Sequence, residues 1–304
     1  MAAEQDGQRL DNYLIRRMRG VPRSRIYRLI RQGEVRVNKK RSKPDYKLAC
    51  GDEVRLPPYR GADTPIPGKP TPGLSQLLLD AVIHEDEDCL AINKPAGLSV
   101  HGGSNIPLGI IEALRQIKPE WRQAELAHRL DRDTSGVLLM ARTAPALKAL
   151  QAQFKAKTVN KSYLALVHGH WDAATTVVNA PLKKGELSSG ERMVRVMPDG
   201  KPALTRFRIH TRYEAATLLE ALPDTGRTHQ IRVHCQHAGH AVVGDAKYTT
   251  PNSQQTLKRV KHLCLHAAAL SFTHPASGAT LELQAEPDSR FVALLETLAT
   301  HTTT

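Results

Sequence analysis

One stretch of the chain cannot form a regular element, and it divides the sequence. Residues 57–73, PPYRGADTPIPGKPTPG, contain six prolines and three glycines. Proline removes a backbone donor and fixes φ, so a run of this kind behaves as a semi-rigid spacer. The sequence therefore predicts a small unit over 1–60, a linker over 61–73 and a large unit over 74–304.

The two predicted units differ in charge. The chain carries a net charge of +13, and residues 1–60 hold 16 Lys and Arg against 7 Asp and Glu, whereas the remaining 244 residues hold 27 against 23. This surplus indicates a polyanionic partner, with nucleic acid first and an anionic membrane surface second; the alternative is a soluble protein that is merely basic.

Other classes of protein fit the composition poorly. No apolar stretch approaches the roughly 20 residues that span a bilayer, and MAAEQDGQRLDNYL at the N-terminus lacks the pattern of a signal peptide. The four cysteines are far apart and form no CxxC pair, which argues against a zinc ribbon or a disulfide framework. We expect a cytoplasmic protein with ordinary thiols.

The small unit has the pattern of two short helices and a hairpin. Apolar residues at helical spacing precede Gly20, and a second amphipathic run begins with Ser24 as the candidate N-cap and ends at Gly33. Alternating residues at 34–38 and again at 51–56 predict two short strands.

Basic residues cluster on this predicted framework. Eight arginines lie from Arg9 to Arg31 with almost no acidic partners, which favours phosphate contact over a merely solvated helix. The segments RLDNYL, SRIYRLIRQGEVRVNKK and GDEV resemble the small RNA-binding domain first seen in ribosomal protein S-four. The candidate RNA contacts are Arg23, Arg25, Arg28 and Arg31 on the second helix and Lys39, Lys40 and Arg41 in the turn.

The large unit has an α+β pattern with many strands. The spacing predicts helices over three ranges: 109–117, 144–157 and 289–299. Short β-like runs lie at 90–92, 137–141, 163–167, 204–209, 216–222, 229–234 and 281–285.

The stretch AHRLDRDTSGV, from Ala127 to Val137, places two carboxylates before a buried strand. Turns next to rigid strands often present reactive side chains. In a turn rich in Asp, Ser, Thr and Gly, however, Asp131 and Asp133 are more simply explained as turn carboxylates that bond nearby amides. The residues alone favour this turn role over a catalytic one.

A second polar stretch, TGRTHQIRVH, ends in the run predicted as a strand at 229–234. Strand alternation would place Gln230, Arg232 and His234 on one face. A half-buried guanidinium needs an acidic or phosphate partner, and Asp131 is a candidate for Arg232.

The sequence contains no metal or nucleotide signature. His234, His237 and His240 recur every three residues, but this is not the spacing of a zinc helix and Gly239 interrupts it. The stretches HGGS and GHAVVGD are not phosphate-binding loops, and no GxGxxG follows a strand. These residues therefore suggest neither a metal site nor a dinucleotide site.

Five motifs in order carry a resemblance to a known family. NKPAGLSVHGG (93–103), HRLDRDTSGVLLMA (128–141), KSYLALVHG (161–169), TGRTHQIRVH (225–234) and LHAAALSFTHP (265–275) resemble the successive motifs of RNA pseudouridine synthases of the RluA/RluC type. The resemblance covers almost the whole chain after the linker. It implies a mixed, mostly antiparallel catalytic sheet and isomerisation of uridine to pseudouridine without a cofactor.

The resemblance also implies roles for individual residues. Asp131 corresponds to the catalytic aspartate, so Asp133 keeps its turn role with Thr134, Ser135 and Gly136. Tyr163, which could otherwise be a core tyrosine, corresponds to one that stacks on the target base and assists the final proton removal. Arg232 corresponds to the ion-pair partner of the aspartate. Arg129 resembles a residue that fills the gap left by the flipped uridine, and the other expected RNA contacts are Asn93, Lys94, His128, Arg227 and Gln230.

The expected partner is large-subunit ribosomal RNA, acted on by a monomer. Two alternatives stay open: a pseudouridine synthase acting on tRNA, and a non-catalytic ribosome-assembly protein. The intact set of Asp131, Tyr163 and Arg232 favours an enzyme. The N-terminal module favours rRNA by analogy only.

Overall fold

The protein forms two compact units, Met1–Pro67 and Gly68–Thr304. The computed structural model describes residues 6–18, 20–59, 68–103, 108–186, 192–250 and 257–300. Within the predicted linker, 61–67 lie outside the described residues, and its last residues begin a helix: Thr71 accepts a hydrogen bond from the amide of Leu74, and Pro72 lies in the first turn. Proline suits that position because its fixed φ is helical and no amide is lost.

The small unit has the predicted elements. Helix α1 (Leu10–Arg17) and helix α2 (Arg23–Gln32) precede strand β1 (Arg36–Val37), which pairs antiparallel with strand β2 (Val54–Arg55). Aliphatic side chains from both helices and the hairpin form one core. The basic side chains are therefore left on the outside.

The predicted cap of α2 is wrong. Pro22 is the N-cap residue and no side chain caps the helix, so Ser24 lies inside the first turn. Gly33 ends the helix as predicted, in the left-handed conformation with φ 76°. Glycine adopts this conformation without the steric cost of a side chain.

The large unit combines five helices with twelve strands among its described residues. The helices are α3 (Pro72–Asp80), α4 (Ile110–Ile117), α5 (Ala144–Ala156), α6 (Gln230–His237) and α7 (Ser289–Thr300). The strands are β3 (Val82–Glu85), β4 (Cys89–Lys94), β5 (Glu125–Leu126), β6 (Ser135–Ala141), β7 (Asn160–His168), β8 (Val177–Asn179), β9 (Leu182–Glu186), β10 (Arg192–Val196), β11 (Leu204–Arg212), β12 (Ala216–Pro223), β13 (Leu265–Thr273) and β14 (Thr280–Gln284). None of these helices, nor those of the small unit, has the length and apolar character needed to cross a membrane.

Ten of these strands form a single mixed, mostly antiparallel sheet, as predicted. Its order is β3-β4-β6-β13-β7-β12-β11-β8, with β14 beside β13 and β5 beside β6. Among the described strands, only β6 and β13 pair in parallel. Strands β9 and β10 form a separate antiparallel hairpin.

Strand β6 is buried on both faces, which explains its unbroken apolar run. Leu138 and Met140 pack on one side with α4, whereas Val137 and Leu139 pack on the other with α5. Successive side chains of a strand point to opposite faces, so a strand covered on both sides must be apolar throughout. This strand is the rigid base of the turn that precedes it.

The start of β6 requires a glycine. Gly136 has φ 109°, and a Cβ placed there would lie 2.2 Å from the carbonyl oxygen of Ala267 on β13. A side chain at this position would push the two strands apart. Gly136 thus fixes where the turn carrying Asp131 meets the sheet.

The predicted strand at 229–234 is wrong, because most of it belongs to helix α6. The alternation of Ile231 and Val233 with polar residues matched a strand. In the structure every residue from Gln230 to Cys235 is buried. A helix that is surrounded by protein has no solvent-facing side, so its polar residues do not recur at helical spacing. The spacing of polar and apolar residues then does not distinguish a helix from a strand.

Candidate active site

Asp131 lies in the turn between β5 and β6, where two cavities of the large unit meet. The cavities measure about 530 Å³ and about 1200 Å³, and Arg129, Asp131, His229 and Arg232 line both. The Asp131 side chain is 20% exposed. A partly exposed carboxylate at the base of a cavity can contact a substrate.

Asp133 behaves differently from its neighbour. Its carboxylate pairs with the side chain of Arg132, with Nε at 3.0 Å from Oδ1, and both side chains are largely exposed. The turn itself is closed by the amide of Thr134, which donates to the carbonyl of Asp131 at 3.3 Å. The prediction that Asp131, and not Asp133, is the catalytic carboxylate stays a prediction.

Arg232 lies next to Asp131, but its main partner is a different carboxylate. Its Nε and Nη2 donate to the two oxygens of Asp245 at 2.7 and 2.8 Å, whereas Nη1 lies 3.8 Å from Oδ2 of Asp131. The Asp245 side chain is fully buried. Burial acts to lower the pKa of Arg232, but the bonds to Asp245 outweigh it and hold that pKa above its ordinary value.

The helical geometry of α6 separates residues that strand alternation had placed together. Gln230 and His234 both contact Thr205 on β11, with Nε2 of Gln230 donating at 3.0 Å and Nδ1 of His234 at 2.8 Å from the hydroxyl. Arg232 is two residues from each and therefore points to the opposite side. Arg232 therefore lies near Asp131 because it is on the opposite side of α6 from Gln230 and His234, and not because it shares a strand face with them.

Asp245 was missed by sequence reasoning. Its Oδ1 accepts hydrogen bonds from the amides of Lys247 and Tyr248, at 2.9 and 3.0 Å. The preceding Gly244 has φ 75° and lies so close to the carbonyl of His262 that a Cβ would clash. One feature of the sequence could have indicated this pair: GDAKY contains an acidic residue thirteen positions after Arg232, which needed an acidic partner.

Tyr163 is on β7 and lines the smaller cavity with Asp131. Burial, and then the charge of Asp131, raise the pKa of the Tyr163 phenol far above its ordinary value, so the hydroxyl keeps its proton. Within the described part of the chain this hydroxyl has no hydrogen-bond partner. The Tyr163 ring also packs against two clusters of the hydrophobic core. The residue is therefore both a core tyrosine and part of the cavity wall.

Lys94 is not an RNA contact, because it is completely buried. Its Nζ donates to the carbonyls of Pro95, Leu98 and Arg132 at 2.8 to 2.9 Å. Burial lowers the pKa of Lys94 to about 7, and the charges of Asp133 and Asp131 oppose this change. The amide of Gly97 donates to the same Arg132 carbonyl at 2.9 Å. Lys94 therefore anchors the turn from beneath.

Gln230 also lies in the interior instead of facing RNA. It is 4% exposed, and its Oε1 accepts from the Thr225 hydroxyl and the Arg227 amide, which ties the loop before α6 together. A fully hydrogen-bonded buried amide has no group left for a nucleotide. The predictions for Lys94 and Gln230 were wrong for the same reason: a sequence motif does not show whether a side chain faces the interior or the solvent.

The remaining predicted contacts of this unit are at least partly accessible. Arg129 and Arg227 are exposed at the smaller cavity. His128 is half-buried, stacks on Phe154 and accepts a hydrogen bond from the amide of Leu139, and burial lowers its pKa to about 4. Asn93 is half-buried and donates to the carbonyl of Glu286. Contact of these four with RNA stays a prediction.

In the small unit the predicted cations all face outward. Exposed side chains are those of Arg23, Arg25, Arg28, Arg31, Lys39, Lys40 and Arg41. The four arginines of α2 have no acidic partner within hydrogen-bond or ion-pair distance among the described residues. Unpaired surface cations are available to phosphate groups.

Two of the three histidines considered as metal ligands, His234 and His240, have other partners. His234 bonds Thr205 and the carbonyl of Ala180, and His240 bonds the carbonyl of His168.

One other cluster, formed by Asp86, Cys89 and His274, has ligand atoms within 4.8 Å of one another. The amides of Ala276 and Ser277 donate to Nδ1 of His274, so Nε2 carries the hydrogen that faces Asp86. A protonated Nε2 cannot bind a metal.

The structure combines a small basic unit with a large mixed sheet, on which a partly exposed aspartate lies beside a buried arginine. The sequence of this chain matches two family models. A model described as RNA pseudouridylate synthase matches residues 88–237, and one described as S4 domain matches residues 8–54. The chain belongs to the RNA pseudouridine synthase family and carries an S4 domain.

Individual relatives agree with this assignment. The chain is 50% identical to Ribosomal large subunit pseudouridine synthase C of Salmonella typhi, 49% to that of Escherichia coli K12 and 51% to that of Pasteurella multocida, over 98% of this chain and 92 to 95% of theirs. Among solved structures, Human RNA Pseudouridylate Synthase Domain Containing 4 is 26% identical with a TM-score of 0.61, covering 75% of this chain and 96% of that one. The chain is thus an RNA pseudouridine synthase.

Replacing Lys94 tests its role as an anchor. We expect Lys94→Met to lower the free energy of unfolding by about 3 kcal/mol, because the carbonyls of Pro95, Leu98 and Arg132 lose the ammonium donor that they share. Denaturant unfolding monitored by circular dichroism measures this change. The control Lys148→Met alters an exposed lysine on α5 and should change stability by less than about 0.5 kcal/mol. Equal stabilities of the two variants would contradict the anchor.

Proposed function

We propose that this enzyme isomerises uridines in large-subunit (23S) ribosomal RNA to pseudouridine, with Asp131 as the catalytic carboxylate. The observation that carries the proposal is the position of Asp131 at the junction of two cavities, with Arg232 at 3.8 Å. The relatives that the chain matches over nearly its whole length are named for the large ribosomal subunit. We further propose that it acts as a monomer in the cytoplasm.

The reaction breaks the bond between the ribose anomeric carbon and a ring nitrogen and forms a bond from the same carbon to a ring carbon. The ring carbon loses a proton and the ring nitrogen gains one, so reactant and product have the same atoms and oxidation level. No electron acceptor is needed. A carboxylate can add to the ring or the anomeric carbon, or stabilise positive charge on the ribose as the base departs.

Arg232 orients the Asp131 carboxylate in this proposal. Because Asp245 already satisfies two of its donors, Arg232 is a fixed positive charge beside that carboxylate. Tyr163 lines the same cavity, and its hydroxyl has no hydrogen-bond partner among the described residues. It would stack on the uracil ring and assist the final proton removal.

The target uridine must leave its base stack to reach Asp131. An enzyme cannot reach the glycosidic bond of a stacked base, so base flipping is required. Arg129 is exposed and lines both cavities. We propose that it occupies the space the flipped nucleotide leaves. The cations Lys155, Lys157, Lys161 and Arg227 around the smaller cavity would contact the neighbouring phosphates.

Conversion of Asp131 to asparagine tests the catalytic assignment. We expect Asp131→Asn to abolish pseudouridine formation while RNA binding persists, because the change removes the charge and preserves the shape. Pseudouridines would be mapped by chemical labelling after incubation with 23S rRNA, with tRNA as a second substrate. The matched control Asp133→Asn should retain activity.

Two results would overturn parts of the proposal. Near wild-type turnover by Asp131→Asn would remove the catalytic role of Asp131. Modification of tRNA in preference to 23S rRNA by the wild-type enzyme would replace the proposed substrate.

Neutralising the cations of α2 tests the small unit. We expect the variant with Arg23, Arg25, Arg28 and Arg31 all changed to Gln to bind rRNA more weakly. The slope of log K against log salt should fall by about 3, since each lost phosphate contact removes about 0.7 to 0.9. Binding measured between about 50 and 200 mM salt gives the slope. The same slope as wild type would exclude phosphate contact by α2, and Arg122→Gln with Lys148→Gln controls for loss of general charge.

A further inference from the structure

A second side chain approaches Asp131 from the same direction as Arg232. Nε2 of His229 lies 3.9 Å from Oδ2 of Asp131, which is also the oxygen nearest to Arg232. His229 immediately precedes α6 and has left-handed backbone geometry, with φ 54°. The proposed function assigns His229 no role. Strained backbone at a site is a reason to ask what the side chain does there.

The hydrogen bonds around Tyr248 fix the tautomer of His229. Tyr248 is completely buried, and its Oη accepts a hydrogen bond from the amide of Val194 at 3.1 Å. Nδ1 of His229 lies 2.7 Å from the same oxygen. If Nδ1 carried the hydrogen, the buried Tyr248 hydroxyl would have two donors pointing at it and no acceptor among the described residues. The hydroxyl therefore donates to Nδ1, and the neutral ring carries its hydrogen on Nε2.

Burial is the main reason why this ring stays neutral. Burial lowers the pKa of His229 and is the largest effect. Among the neighbouring charges, Asp131 and Asp245 raise this pKa, whereas Arg232 and Lys247 lower it. The net change is downward. Burial also raises the pKa of Tyr248, so its hydroxyl retains the proton that it donates. Near neutral pH, Oδ2 of Asp131 therefore lies near both a neutral N–H group and a permanent cation.

We propose that His229 is a positioning residue for Asp131, fixed by Tyr248 as the Nε2–H tautomer so that it orients Oδ2 together with Arg232. This inference rests on the proposed role of Asp131. A neutral donor suits the task because it can hold a carboxylate without transferring a proton to it, whereas an imidazolium could neutralise the carboxylate. The distance of 3.9 Å is longer than a hydrogen bond, and such contacts commonly shorten when substrate binds.

A purely structural role for His229 makes a different prediction. In that case the residue would matter only because it begins α6 in the left-handed conformation, which asparagine tolerates better than most residues. Two substitutions separate the alternatives. His229→Gln places an amide N–H at the position of Nε2, whereas His229→Asn suits the backbone but reaches only as far as Nδ1.

Activity in these variants tests the inference. We expect kcat for His229→Gln to be close to that of wild type and kcat for His229→Asn to fall about 100-fold, the usual effect of a misplaced reacting group, with little change in KM. Equal losses in both variants, or a smaller loss in His229→Asn, would overturn the positioning role. Asp131→Asn, measured in parallel, separates the two proposals: if it retains turnover, the proposed function fails, whatever the His229 variants show.

The tautomer can be observed directly in the full-length protein. Nitrogen-15 shifts of the imidazole ring distinguish hydrogen on Nε2 from hydrogen on Nδ1, and we expect the Nε2–H form in wild type. In Tyr248→Phe the Nδ1–H form should gain population, and the acidic limb of the kcat profile should move to higher pH, because the hydroxyl that favours the neutral ring is gone. An Nδ1–H ring in wild type, or an unmoved pH profile in Tyr248→Phe, would refute the assignment.

Discussion

The buried pair of Arg232 and Asp245 is the interaction on which the rest of the site depends. A guanidinium taken from water without a partner is costly, and Arg232 is 8% exposed. Asp245 satisfies it with two hydrogen bonds, while Asp131 stays 3.8 Å away. The difference in distance matters: a carboxylate locked in a bidentate ion pair would have little freedom to react, whereas one oriented by a nearby fixed charge stays available.

The turn that carries Asp131 is fixed at three points. Beneath it, Lys94 and the amide of Gly97 hold the carbonyl of Arg132. After it, Gly136 lies so close to β13 that only a glycine fits. Above it are Arg232 and His229, whose own partners lie in the buried segment around Asp245 and Tyr248. Preorganised charges and dipoles of this kind stabilise a reacting group without rearranging during the reaction.

The sequence was informative where an element has a residue pattern that is characteristic of its type. Helix α5 and strand β6 were predicted closely, because α5 has a polar face and β6 is an unbroken apolar run. Helix α6 was mistaken for a strand because it is buried all round. Lys94 was wrongly predicted to contact RNA for a related reason. Its three donors bond backbone carbonyls, but the sequence does not distinguish such a buried lysine from one on the surface.

The motifs named three residues, Asp131, Tyr163 and Arg232, that line one cavity in the structure, but they did not reveal the hydrogen bonds and ion pairs between them and their neighbours. The need of Arg232 for a carboxylate was predicted, and Asp131 is indeed close, yet the stronger partner Asp245 came from a loop that sequence reasoning had set aside. Tyr248 was missed because its contacts, with His229 and the amide of Val194, join segments far apart in the chain. Such long-range hydrogen bonds have no local sequence pattern.

A crystal structure of the enzyme with an rRNA fragment tests the central claim most directly. The fragment would carry a uridine with fluorine on the ring carbon that must lose its proton, so that the reaction stops with the nucleotide in place. The account predicts a flipped nucleotide with its ribose against Asp131, its base on Tyr163, and Arg232 still paired with Asp245. A nucleotide bound with another carboxylate at its anomeric carbon, or Arg232 released from Asp245, would contradict it.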